Sequence, residues 1–174
     1  MKLTWFGGTT LRLHIGGHML VVDAEGAPDW IDRTELLSGA DHAFALSDTL
    51  HEIDPQRFQP RKVGALIDAG DELPEVLMHR AGPDAVLIEA VGESPLLLVT
   101  GPVEGFGRWA RDAVVVLSGR EMQATARWVM DEIGPRLIAI AGADAAVEAA
   151  IEAIRDRLDG TGLMALEPGM ALEV

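Results

Sequence analysis

The chain has 174 residues, a formal net charge of −14, and no cysteine. Such a charge repels phosphate backbones and anionic lipid surfaces, which are bound through clustered Lys and Arg, so neither nucleic acid nor membrane is an expected partner. The missing cysteines exclude disulfides, thiolate zinc sites and cysteine nucleophiles, and the length suits a single domain over 1–174 whose core is mostly aliphatic, with 48% hydrophobic residues and only 5% aromatics.

The amino-terminal third reads as a β meander. Leu3 to Phe6, Leu11 to Ile15 and Met19 to Asp23 are short β-rich runs, separated by Gly7-Gly8 and Gly16-Gly17. The second glycine pair suits a tight hairpin that needs positive φ. Asp29 to Leu37, between Pro28 and Gly39, has apolar residues at helical spacing, and Ala43 to Leu46 reads as a buried strand. Residues 48 to 84 are the least regular part, because Pro55, Pro60, Pro74 and Pro83 interrupt any long element; Val63 to Ile67 reads as one more short strand within them.

The carboxy-terminal half is more strongly patterned. Ala85 to Ala90 and Pro95 to Thr100 flank Gly92-Glu93-Ser94 as a hairpin, and Ala113 to Leu117 is a continuous apolar strand. Arg120 to Ile133 carries Met122, Ala126, Val129 and Ile133 at helical spacing and is stopped by Gly134-Pro135. Leu137 to Ala141 is a further strand. Asp144 is expected to cap a helix with Val147, Ile151, Ile154 and Leu158 on one stripe and Glu148, Glu152, Arg155 and Asp156 opposite. Strand, helix, strand, helix with short links means parallel strands. Leu163 to Leu166 and Met170 to Val174 close the chain around Pro168-Gly169. The pattern is that of an α/β protein (α+β in some schemes). No apolar run near Lys2 has the form of a leader and no stretch approaches a membrane span, so the expected location is the cytoplasm.

The opening residues, Met1 to Thr10 with Leu11-Arg12-Leu13-His14-Ile15 and Met19 to Asp23, resemble the entry of the metallo-β-lactamase-type hydrolases, in the branch that includes ascorbate-6-phosphate lactonase. The resemblance implies an αββα sandwich in shortened form. In that branch a Gly-His-Ala/Ser signature stands where Gly7-Gly8-Thr9 stands here, so the histidine is missing. The family's His-x-His-x-Asp-His motif falls on the segment after Leu46-Ser47: Asp48 and Leu50 take the first two histidine positions, Glu52 the aspartate, and Ile53 the last histidine. The bridging aspartate of a later Gly-Asp-Thr signature is replaced within Thr100-Gly101-Pro102-Val103, and a further histidine position reads Ile140-Ala141-Gly142. In the family these ligands hold zinc, which lowers the pKa of a bound water so that hydroxide can attack. Leu50 and Ile53 offer no lone pair. The resemblance thus implies a degenerate member without the zinc site, in a non-catalytic binding or assembly role.

Asp48, His51, Glu52 and Asp54, joined by Asp23 from a neighbouring strand end, are the candidate cleft residues. Such an oxygen-rich cluster could take magnesium, or zinc with His51 as the nitrogen ligand, which would make the chain a metal-dependent hydrolase with a rebuilt site. In the other reading Asp48 and Asp54-Pro55 cap turns and His51 sits in solvent. His14, alternating with Arg12, is expected to face solvent, and His18, His42 and His79 have no partner at ligand spacing. Ser47 and Ser118 lack a nucleophile elbow, and Gly101 to Gly107 lacks the Gly-Lys-Ser/Thr of a phosphate loop. Trp109 reads as a half-buried anchor of its loop. A shortened fold with this much Leu, Val and Ile leaves an apolar face uncovered, so a homodimer is expected.

Overall fold

The computed structural model describes residues 1–61 and 73–174. Strands β1 (Lys2–Gly7), β2 (Thr10–Ile15) and β3 (His18–Val22) form the expected antiparallel meander. Gly16 and Gly17 close the β2–β3 hairpin with φ of 59° and 83°, a pair of positive values that suits glycine. A short helix α1 (Arg33–Leu37) leads to β4 (His42–Phe44), which runs parallel to β3. The second sheet takes β5 (His51–Glu52), β6 (Val76–Gly82), β7 (Ala85–Ala90), β8 (Leu96–Val99) and β9 (Val114–Leu117). Helix α2 (Met122–Glu132), β10 (Leu137–Ile140), helix α3 (Asp144–Ile154) and β11 (Gly162–Ala165) complete it, and β12 (Ala171–Glu173) returns to the first sheet beside β1. The sheet orders are β12-β1-β2-β3-β4 and β11-β10-β9-β8-β7-β6-β5, with β8 to β11 parallel, as the strand–helix alternation requires.

The two sheets pack face to face. Leu3, Leu13, Ile15 and Leu20 of the first meet Val86, Ile88, Leu96, Leu98 and Val116 of the second in one buried cluster. The other face of the second sheet, through Leu87, Leu97, Val115, Leu117, Ile138 and Ile140, packs against Ala126 and Val129 of α2 and Val147, Ala150 and Ile154 of α3. On the outside of the first sheet, Val21 is covered by Ala27 and by Leu36 of α1. The molecule is therefore an α/β sandwich layered helix, sheet, sheet, helix, with a thin first layer. No helix among the described residues is long and apolar enough to cross a membrane.

Several elements differ from their sequence signals. The helix expected over Asp29 to Leu37 is confined to α1, because Asp32 caps it with a carboxylate that accepts from the Thr34 and Glu35 amides. The strand expected over Ala43 to Leu46 covers His42–Phe44, and only Phe44 is buried, since β4 is the edge of its sheet. Strand β6 was hidden among the prolines of 48 to 84. The possible strand at Val63 to Ile67 lies outside the described residues. Asp144 is the first residue of α3 and not its cap: that place belongs to Ala143, with no side-chain hydrogen bond. Along α3 the buried stripe is Val147, Ala150 and Ile154, with Ile151 half-buried beside it.

Candidate functional site

A groove of about 830 Å³ opens where the two sheets meet at the strand ends. Its walls are the 46–50 segment after β4, Glu52 at the end of β5 with Ile53 and Pro55, the β6–β7 turn and the loop Pro102–Glu104 after β8. The volume lies within the usual range for small-molecule sites, roughly 300–1,000 Å³. The close approach of two walls depends on Gly82, whose φ of 145° and lack of a Cβ leave the space taken by the Val103 side chain.

The five candidate residues are only partly brought together. Asp48 and Glu52 line the groove. Their neighbour His51 does not: in β5 successive side chains point to opposite faces, so His51 pairs with His79 on the helix side while Glu52 pairs with Arg80 on the groove side. Asp23 stands at the end of β3 in a left-handed conformation, φ 48°, and its Oδ1 accepts from the Leu46 amide at 2.7 Å. Asp48 Oδ2 accepts from the Ala45 amide at 2.8 Å, and Asp54 Oδ1 from the Gln56 amide at 3.0 Å. Asp48 and Asp54 therefore shape their own turns, while Asp23 ties the end of β3 to the segment that follows β4. Among the described residues no group of three or more His, Asp or Glu is arranged to hold a metal ion. With Gly8, Leu50 and Ile53 at three of the positions that the resemblance assigns to histidine, the residues present do not fit the zinc of those hydrolases.

Arg80 is the groove residue that sequence reasoning missed. Its Nη2 donates to the carbonyls of Leu46 and Asp48, the latter at 2.9 Å, and so ties the 46–50 wall to the second sheet. It went unnoticed because Arg80-Ala81-Gly82-Pro83 reads as a turn, whereas its first three residues end β6. Glu104 supplies a third carboxylate to the rim.

Behind the groove, on the helix face of the second sheet, lies a buried polar cluster. Glu89 is 3% exposed in the otherwise apolar strand β7. One carboxylate oxygen accepts from the Arg61 amide; the other stands 3.5 Å from Arg61 Nε and 3.9 Å from His79 Nε2. His79 is buried, and among the described residues neither ring nitrogen has a hydrogen-bond partner. Burial pulls its pKa below the ordinary 6.5; Glu89 opposes that shift, and His51 and Arg61 add to it. Aromatic rings continue from it, His79 to Phe58 at 5.5 Å, Phe58 to Trp109 at 5.4 Å and Trp109 to Phe106 at 5.9 Å. Trp109 is the expected loop anchor: its indole N–H donates to the Pro55 carbonyl at 2.7 Å, and the Gly107 amide donates to the same oxygen at 3.0 Å. These contacts fasten the Pro55 and Pro102–Glu104 walls to each other from behind.

Of the remaining histidines, His18 lies with its Nδ1 4.0 Å from the Asp41 carboxylate. His14 is exposed, and His18, at the start of β3 and half-buried, lies with its ring 6.0 Å from that of His42.

Fold and groove together define a two-sheet α/β sandwich with a cleft at its strand ends. No protein-family model and no curated protein sequence matches the chain.

Proposed function

We propose that the chain is a degenerate metallo-β-lactamase-type domain that binds a ligand in its cleft without zinc and without hydrolysis. The observation that carries this reading is the state of the candidate ligands. The groove occupies the strand-end position where the resemblance implies a metal centre, yet Asp23, Asp48 and Asp54 each spend an oxygen on a backbone amide, and His51 faces the opposite side of the sheet. A water-activating site needs several convergent lone pairs around one ion. What remains is a concave surface about equally polar and apolar, in which Asp48, Glu52, Arg80 and Glu104 stand among Leu46, Leu50, Ile53 and Val103, and it is large enough to receive a small molecule.

Zinc loading followed by desalting and elemental analysis tests the first half. Well under one equivalent is expected; stoichiometric zinc that disappears in Asp48→Asn and His51→Ala would establish a metal-dependent hydrolase with a rebuilt site instead. Small-molecule fragments titrated against the backbone amide spectrum test the second half. Shifts should gather at Leu50, Ile53 and Val103 and vanish when Thr49→Trp narrows the groove. Fragments that gather elsewhere would remove the cleft from the argument.

A further inference from the structure

Four strands end the two sheets, and they are unequally protected against pairing with another chain. Among the described residues β5 is two residues long and is followed by Pro55, β4 is three residues long and preceded by Asp41, and β12 ends in Glu173, paired with Lys2. Short length, charge and proline are the usual devices that keep an edge from recruiting a partner. Strand β11, four residues long, has neither charge nor proline. From Gly160 to Leu166 the sequence is uncharged, without proline, and its register with β10 is unbroken.

The hydrogen bonds show which backbone groups β11 leaves open. The Gly162 amide donates to Arg136 at 2.9 Å and the Leu166 amide to Ile140 at 2.8 Å, so the even-numbered residues face β10. By alternation the N–H and C=O of Leu163 and Ala165 face outward. Met164 is 46% exposed and Met170, on the connection to β12, 60%. Leu137 of β10, Leu172 of β12 and Val174 are likewise only partly buried against the inter-sheet core.

We infer that β11 pairs antiparallel with β11 of a second copy across a two-fold axis at Met164. The geometry is self-complementary: Leu163 and Ala165 of one copy exchange both hydrogen bonds with Ala165 and Leu163 of the other, and the two Met164 side chains meet at a non-hydrogen-bonded pair. The absence of charge along this edge leaves a second copy admissible. The net charge of −14 sets two copies against each other, and this is an edge where no ionised side chain faces another: Glu167 falls opposite Thr161 of the second copy. At physiological salt the residual repulsion decays over about 8 Å, while the apolar contact acts at short range. A foreign strand would have no comparable register. This inference goes beyond the cleft and stands whether or not the cleft binds a ligand.

Light scattering at tens of micromolar protein and moderate salt should return twice 18.6 kDa; a mass of 18.6 kDa would overturn the proposal. The chain has no cysteine, so Met164→Cys provides a single probe of the axis. Non-hydrogen-bonded antiparallel pairs set Cα atoms about 4.5 Å apart, within the disulfide range of about 4.4–6.8 Å. On mild oxidation Met164→Cys should form a covalent dimer while Asp159→Cys stays uncrosslinked. A dimer in which both or neither crosslink would place the interface elsewhere. Should Met164→Cys misfold, Ala165→Pro decides: it removes an outward amide and no bond to β10, and should weaken association at least tenfold. An unchanged dissociation constant would overturn the proposal.

Discussion

The first sheet turns its outer face to a five-residue helix and a 3-10 turn over Ala24–Gly26, whereas the second lies under two eleven-residue helices. The consequence is visible strand by strand. In β7, β8 and β9 every residue is buried, as it must be when both faces of a sheet are covered. In β2 burial alternates towards the strand's end, with Leu13 and Ile15 inside and Arg12 and His14 outside. Cover on both sides converts an alternating strand into a continuous apolar one, and it also makes any polar residue there costly. Glu89 is tolerated in β7 because Arg61 and His79 stand beside it, at the end of the sheet that α2 and α3 leave to aromatic loops.

The contrast can be broken at three levels. The largest effect is expected at Ile154, fully buried between α3 and the second sheet, where Ile154→Ala should cost about 2–5 kcal/mol in denaturant unfolding. Half-buried Ile151 should lose less on the same change, and an equal loss would mean that the helix packs on a different stripe. A matched pair sharpens the comparison next. Val129 on α2 and Val21 on the first sheet are both fully buried, and each Val→Ala change removes about 1.6 kcal/mol of transfer energy at ~0.8 per carbon. The extra cavity cost should appear at Val129, where the surroundings are rigid, and be reduced at Val21, where only Ala27 and Leu36 are buried with it and the thin layer can relax. Equal losses would show that the thin layer packs as firmly as the thick one.

The smallest effect is a pH dependence. His79 holds its proton less tightly in the folded chain than at its ordinary 6.5, because burial disfavours the imidazolium. The unfolded chain therefore takes up that proton first as the pH falls. Stability is complete above about 6.5 and is lost as the pH drops from there towards the lowered folded value. Denaturant midpoints measured between about pH 7 and 5 should fall in the parent and fall less in His79→Gln. An identical slope in the two proteins would mean that His79 is not the group responsible.

The candidate site was legible only in part. Asp48 and Glu52 could be placed at the cleft from their position after a core strand, and the turn-capping reading of Asp48 and Asp54 could be made from the residue types alone. His51 could not be separated from Glu52, because a two-residue strand has no periodicity to reveal which face each side chain takes. Arg80 and His79 were concealed by the glycine and proline that follow them.

What the sequence determined by itself is what local periodicity encodes: the meander of β1 to β3 and its glycine turn, the β7–β8 hairpin, the parallel order of β9, α2, β10 and α3, and the absence of thiol chemistry. Tertiary structure alone decided that β5 and β6 pair, that His79 and Glu89 share a buried face with Arg61, and that β11 is left as an open edge. Those outcomes depend on partners far apart in the chain, and a hydrogen-bond ladder between distant strands leaves no local pattern from which its register could be read.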